Sequence, residues 1–208
     1  MTASVGYQRK RARTQHTLRR AGMEVLAERG PDGTTVGAIT RRARVAPGTF
    51  YNHFPTLPDL VSAVADELAT GVEIGRDLLI DVEHDPAARV LIGTQHLLDL
   101  TSDDPVAARA FVSLLATIPE LRTRVRTIVR GAIADGLHAG RFPDADPDVV
   151  TDALLGAVVQ WMRTSLAGES AADQRPARLR MALHIVGLPD DEIRPLIDHM
   201  ATTHDRGH

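Results

Sequence analysis

The chain has 208 residues, no cysteine, a formal charge of -3 and 43% hydrophobic residues, enough for a substantial hydrophobic core. Without cysteine there is no disulfide framework, zinc-thiolate site or thiol nucleophile, so a reducing cytoplasm is the expected compartment. Charge is unevenly divided: residues 1–60 hold ten basic against four acidic side chains while the remainder is acidic, and a basic head on an acidic body points to a polyanionic partner for the head.

The basic N-terminus is not followed by an apolar signal region, and no apolar run reaches the ~18 residues of a membrane span, so no membrane partner is expected. Apolar residues recur at three- and four-residue intervals, and alternating β-branched stretches with hairpin turns are nearly absent. The predicted fold class is therefore all-α, with about nine or ten helices. The first helix is predicted from about Gln8 to Arg29, burying Leu18, Ala21, Val25 and Leu26 and stopped by Gly30-Pro31-Asp32-Gly33. Thr34 or Thr35 can cap a short helix over Val36 to Ala43. After the break Arg44-Val45-Ala46, a shorter helix runs from Pro47, at the first helical position, to Phe54 before Pro55.

A fourth helix begins near Leu57 or Pro58 and reaches about Ile80, with Gly71 and Gly75 weakening its middle. Acidic residues and prolines then set a regular punctuation. Asp85-Pro86 opens a helix to about Leu100, Asp103-Asp104-Pro105 one to Ile118, and Pro119-Glu120 one to about Ala139. The loop from Gly140 to Pro147 leads to helices over Asp148 to Leu166 and Gln174 to Val186. A last short helix is expected over Asp191 to Thr202, with Thr203 to His208 frayed. The helix after Asp148 carries apolar residues on more than one face, so it must be covered by its own core and by something further. The helices near 148–166 and 174–186 are thus the expected homodimer surface, a four-helix packing with a symmetry mate.

Two short helices separated by three residues satisfy the helix-turn-helix pattern, whose second helix enters a major groove. The segment TTVGAITRRARVAPGTFYNHFPTLPDL resembles the DNA-binding signature of the TetR family of bacterial regulators. The resemblance rests on Thr35, Ile39 and Ala43, on Val45 in the turn, on Gly48-Thr49-Phe50-Tyr51 and His53-Phe54, and on Leu60. Beyond this head it rests only on the arrangement of helices, including the Gly140 to Pro147 loop. The chemistry agrees. Thr49 and Asn52 are small polar side chains able to meet base edges; Tyr51 and His53 can donate to phosphate, and Thr35 stands at a helix N-terminus that favours an anion. Pro47 opens the reading helix, Gly48 leaves room for close backbone approach, and Val45, Phe50 and Phe54 read as core pins. Arg9, Lys10, Arg11 and Arg13 would add salt-sensitive phosphate or minor-groove attraction.

The sequence departs from the family pattern at four places. Arg44 replaces a turn glycine, Ala46 a capping serine and Leu57 a lysine, and Gly37 weakens the scaffold helix. The resemblance implies a DNA-binding domain over 1–56 and a ligand-binding and dimerisation domain over 57–208. Filling an effector pocket in the latter would move two DNA-reading heads apart. Candidate lining residues are His96, Leu97, Leu100, Phe111, Leu114, Leu115, Ile118, Gln160, Trp161 and Met162, an apolar set suited to a hydrophobic or aromatic effector.

Enzyme readings fail on spacing. Asp144, Asp146 and Asp148 imitate a calcium loop but lack its turn glycine and terminal glutamate, leaving a helix cap. There is no HExxH, no Gly-x-Ser-x-Gly elbow and no phosphate-binding glycine loop, so no catalysis, metal or cofactor is expected. The reading is a ligand-responsive dimeric repressor on a palindromic double-stranded operator. The alternatives are an architectural or nonspecific DNA-binding dimer, and a helical small-molecule-binding protein with a vestigial head.

Overall fold

Prolines and acidic side chains decide where the helices begin. In the computed structural model, which describes residues 2–82, 84–169 and 174–204, the helices are α1 (Thr2–Arg29), α2 (Val36–Ala43), α3 (Pro47–Tyr51), α4 (Leu57–Val82) and α5 (Pro86–Asp103), followed by α6 (Pro105–Thr117), α7 (Pro119–His138), α8 (Pro147–Leu166), α9 (Arg175–Ile185) and α10 (Asp190–His204). No strand occurs among the described residues. Asp104 caps α6 by accepting from the Ala107 amide at 3.0 Å, and Asp146 caps α8 by accepting from that of Asp148 at 2.8 Å; the aspartates before α8 thus include a helix cap. Thr56 and Asp59 close a reciprocal box at the start of α4. The Asp59 carboxylate takes the Thr56 amide at 2.8 Å, and the Thr56 hydroxyl takes the Asp59 amide at 3.3 Å.

Several boundaries differ from the sequence reading, most by one to three residues, as where α4 reaches Val82 and α5 reaches Asp103. α1 begins at Thr2 rather than near Gln8, so the basic arm is helical. α3 ends at Tyr51 rather than Phe54, and Asn52 and His53 continue as a turn in which the Phe54 amide still donates to the Phe50 carbonyl at 2.9 Å. α10 continues through Thr203 to His204; the expected fraying of 205–208 lies outside the described residues.

The chain divides into two compact units. One comprises residues 1–70 and 104–122, a wider body than the 1–56 head, because α6 lies along α1 while α2 packs on α1 and α3. Leu18, Leu26, Ile39, Phe50, Leu60, Phe111 and Leu114 are fully buried there. α1 and α4 meet closely at Gly22, where a Cβ would come within 2.4 Å of Leu60.

The other unit comprises 71–103 and 123–208. Here α5 packs against α8 and α9, α8 against α9, and α9 against α10, around Leu91, Ile133, Met162, Leu183 and Ile193. Arg178 of α9 ties back to α8, donating to the Ser165 hydroxyl at 2.7 Å, the Thr164 hydroxyl at 3.0 Å and the Trp161 carbonyl at 3.3 Å. Burial pushes its pKa down. Val149 on α8 and Met181 on α9 remain exposed. No helix among the described residues is long and apolar enough to cross a membrane.

Candidate functional site

The α2–α3 segment is built on buried aromatics. Phe50 is fully buried, with Tyr51 edge-on at 5.4 Å and Phe54 at 5.8 Å between ring centroids. This pins one side of α3 and leaves Pro47, Gly48, Tyr51 and Asn52 exposed on the other. Tyr51 is 58% exposed, which leaves its ring and hydroxyl open to a partner. Thr49 is half-buried, and Val45 is half-buried rather than a core pin. Asn52 is the C-cap of α3. His53 is half-buried, with its Nδ1 buried and without a hydrogen-bond partner among the described residues, so any phosphate contact from this ring falls to Nε2.

Thr35, rather than Thr34, caps α2, accepting from the Ala38 amide at 3.2 Å; Thr34 is buried and donates to the Gly30 carbonyl at 2.7 Å. The turn departs from ideal geometry where its sequence does. Arg44 holds φ 55°, ψ 45°, a left-handed conformation that suits glycine. Ala46 gives α3 no side-chain cap.

Ion pairs sort the basic residues of this unit. Arg19 pairs with Glu67 at 3.2 Å, Arg20 with Asp104 at 2.8 Å, and Arg42 with Glu24 at 3.1 Å and Glu28 at 2.7 Å. Arg9, Lys10, Arg11 and Arg13 are exposed on α1 and make no ion pair among the described residues, which leaves their charge open to a polyanion. The sequence reading missed a small cleft of about 350 Å³ lined by Arg29, Arg41, Arg42 and Arg44 with Val25 and Ala38.

The second unit contains a cavity of about 590 Å³ between α4, α5, α7 and α8, within the range of small-molecule sites. Of the expected lining, His96 and Leu97 are there. Phe111, Leu114 and Leu115 are buried in the first unit, where α1 covers the α6 stripe, and Ile118 is the C-cap of α6. Leu100, Gln160, Trp161 and Met162 lie in the second unit but off the cavity, with Gln160 exposed and Met162 in the core.

The walls are instead Val72, Val90, Ile92, Ile128, Val129, Ala132, Leu154, Leu155 and Val158, with Thr94, Thr127, Arg89 and Asp135 as polar members and three glycines, Gly75, Gly93 and Gly131. Each glycine is inside a helix, where it costs roughly 1 kcal/mol relative to alanine. A Cβ at Gly93 or Gly131 would meet nothing within 4 Å. No neighbour requires these glycines; what they provide is room. One signal was legible: Arg89, Gly93, His96 and Leu97 fall at i, i+4, i+7 and i+8, on one face of α5.

With this geometry in place, the comparisons with known proteins decide the family. Residues 18–64 match the family of bacterial regulatory proteins, tetR family, and residues 85–198 match a tetracyclin repressor-like C-terminal domain. The chain belongs to the TetR family. This TetR-family chain is 30% identical over 157 residues to an uncharacterized HTH-type transcriptional regulator of Mycobacterium tuberculosis, covering 71% of each. It resembles the crystal structure of RolR with resorcinol at 26% identity and TM-score 0.62, over 90% of this chain and 94% of that one. It shares the fold of FadR from Bacillus subtilis with stearoyl-CoA at 18% identity and TM-score 0.66, over 81% and 97%. TetR-family regulators bind DNA operators as dimers and take small-molecule effectors.

Proposed function

We infer that this TetR-family chain is a dimeric repressor in the cytoplasm that leaves a palindromic operator when a small, largely apolar effector fills the cavity of its second unit. Base contacts come from Thr49 and Asn52. Phosphate contacts come from Tyr51, His53 and Thr35, with Pro47 and Gly48 at the close approach and Arg9, Lys10, Arg11 and Arg13 adding salt-dependent attraction. This places the DNA-reading set within 1–56 and effector binding and dimerisation within 57–208. α8 and α9, where Val149 and Met181 stand exposed, meet a second copy.

The observation that carries the effector reading is the cavity of about 590 Å³ kept open by glycines in helix interiors. The dimer populates DNA-competent and spread arrangements, and the effector binds the spread one better. A tenfold loss of operator affinity requires only about 1.4 kcal/mol of coupling. In the DNA-competent arrangement the reading helices are one duplex turn, ~34 Å, apart.

The test is to select bound fragments from genomic DNA with the purified protein, then titrate the selected operator across a broad library of apolar compounds. Salt-sensitive binding to a palindrome, relieved by some compounds, supports the reading. Equal binding to all sequences, or no compound that changes operator affinity, overturns it.

A further inference from the structure

The polar groups of the cavity are unequally satisfied. Thr127 donates its hydroxyl to the Thr123 carbonyl at 2.9 Å. Arg89 is different. Its side chain is 14% exposed, and among the described residues its buried Nε has no acceptor and its one ion pair, from Nη1 to Asp135, is long at 3.8 Å. Asp135 is 60% exposed, so water competes for that carboxylate. A guanidinium carries five donors in a planar fork, and burying it with one loose, solvated partner leaves most of its desolvation uncompensated. The missing complement is an anion, and the fork matches a carboxylate that accepts from Nε and an Nη together.

The lining also limits the charge and shape of that anion. Arg89 is the one formal cation among the described lining residues, and Asp135 stands beside it. A second negative charge would have no partner and an acidic neighbour, which disfavours phosphates and dicarboxylates. From Arg89 the wall runs along α5 past Gly93 to His96, seven residues or ~10 Å of helix, faced by apolar side chains such as Ile128, Leu154 and Val158.

We propose that the effector is an apolar monocarboxylate, an aryl-alkyl or medium-chain acid, with its carboxylate on Arg89 and its apolar body along the α5 wall. This rests on the effector reading above and adds to it the chemical class.

The test pairs each acid with its neutral alcohol: octanoate with 1-octanol, and 4-phenylbutyrate with 4-phenylbutanol. Each is titrated calorimetrically into the full-length protein without DNA, and operator release is read separately. In the wild type the acids bind about tenfold or more tightly than their alcohols, at one site per subunit. Arg89→Met removes the preference while alcohol affinity stays within about threefold, and Asp135→Asn keeps or enlarges it. Should Arg89→Met fail to fold, Arg89→Lys, which keeps the charge and loses the fork, is expected to diminish the preference.

Equal binding of acid and alcohol, a preference that survives at position 89, or acids that do not bind overturns the carboxylate assignment. Alcohols that release the operator while acids do not bind would remove this assignment and leave the effector reading intact. Acids that bind through Arg89 without moving the operator would keep the carboxylate site on Arg89 and overturn its role as an effector site.

Discussion

Arg20 of α1 grips Asp104, the residue that caps α6, with Nη1 at 2.8 Å from Oδ2 and Nη2 at 3.3 Å from Oδ1. One carboxylate therefore ends one helix and fastens it to another 84 residues away in sequence. The Arg20 guanidinium, seconded by the Ala107 amide, holds the Asp104 carboxyl below the usual aspartate range against a smaller opposing effect of burial. Because its folded pKa is depressed, the stabilisation is full above the unfolded value near 3.9 and is lost as pH falls through the folded one. Asp104→Asn keeps a good cap and loses the ion pair, which is partly exposed and so worth about 0.5–1 kcal/mol. Asp104→Ala loses both, about 1–2 kcal/mol. Urea unfolding at pH 7 checks the order. Titrated downward from pH 5, the difference between wild type and Asp104→Asn is expected to shrink; a constant difference would mean that the pair contributes nothing.

The left-handed Arg44 is a second point of strain. Its φ of 55° costs an L-residue roughly 1 kcal/mol that glycine avoids. Arg44→Gly is therefore expected to raise stability by about that amount, read from the denaturant midpoint at unchanged slope. A loss of stability would show that the arginine side chain contributes more than its backbone costs.

Ala46 leaves α3 without a side-chain cap. Pro47 has no amide hydrogen and the Thr49 amide already donates to the Ala46 carbonyl at 2.9 Å, so Ala46→Ser supplies its oxygen chiefly to the Gly48 amide, worth about 1 kcal/mol. Slower amide exchange across Pro47–Tyr51 is the specific readout; unchanged exchange there would mean that the turn geometry prevents the bond.

These local features explain which parts of the molecule were legible in the sequence. Helix starts at Pro86, Pro105, Pro119 and Pro147 could be read because a proline or an aspartate acts on its own backbone within a few residues. The partner of Asp104 could not, since nothing local to Asp104 specifies Arg20. Most of the cavity wall could not be read for the same reason, although His96 and Leu97 of the expected set do line it. The α6 stripe of Phe111, Leu114 and Leu115 is equally apolar whether it faces a void or a helix, and here α1 faces it. The more informative signal was what an apolar wall should lack: glycines within helices, and an arginine on the same face of α5. In the α3 segment the aromatic pins Phe50 and Phe54 were legible from pattern, while its end was not, because Asn52 and His53 form a turn that keeps helix-like hydrogen bonds up to Phe54.

The residues proposed to contact DNA divide into two classes that separate experimentally. Arg9, Lys10, Arg11 and Arg13 are exposed and make no ion pair among the described residues, so Arg9→Ala, Arg11→Ala and Arg13→Ala combined are expected to weaken binding uniformly across sequences. Each phosphate interaction removed flattens the slope of log affinity against log salt by about 0.9. Thr49→Ala or Asn52→Ala is expected to leave that slope unchanged and to relax preference at particular base pairs, at about 1–3 kcal/mol for each discriminating hydrogen-bonded pair. Fluorescence anisotropy from ~50 to ~200 mM salt, the range over which such effects separate, with operator and scrambled duplexes, gives both quantities. Equal losses on all sequences from Thr49→Ala and Asn52→Ala would favour nonspecific binding.

The cavity glycines give the most direct separation of ligand response from DNA binding. A Cβ at Gly93 or Gly131 meets nothing within 4 Å, and both positions line the cavity. Gly93→Leu or Gly131→Leu therefore adds a good helix former whose Cβ meets no neighbour and whose remaining atoms take up space at the cavity wall. Either change is expected to stabilise the protein, by about 1 kcal/mol from helix propensity alone and more from the apolar surface that the leucine side chain buries. It should also abolish operator release by any compound active on the wild type, with operator affinity in the absence of compound kept within about threefold. Thermal unfolding and operator titration check the two halves independently. If a leucine there lowers the melting temperature, the space is not empty as described; if release by the compound persists undiminished, the effector sits elsewhere and the glycines serve another purpose.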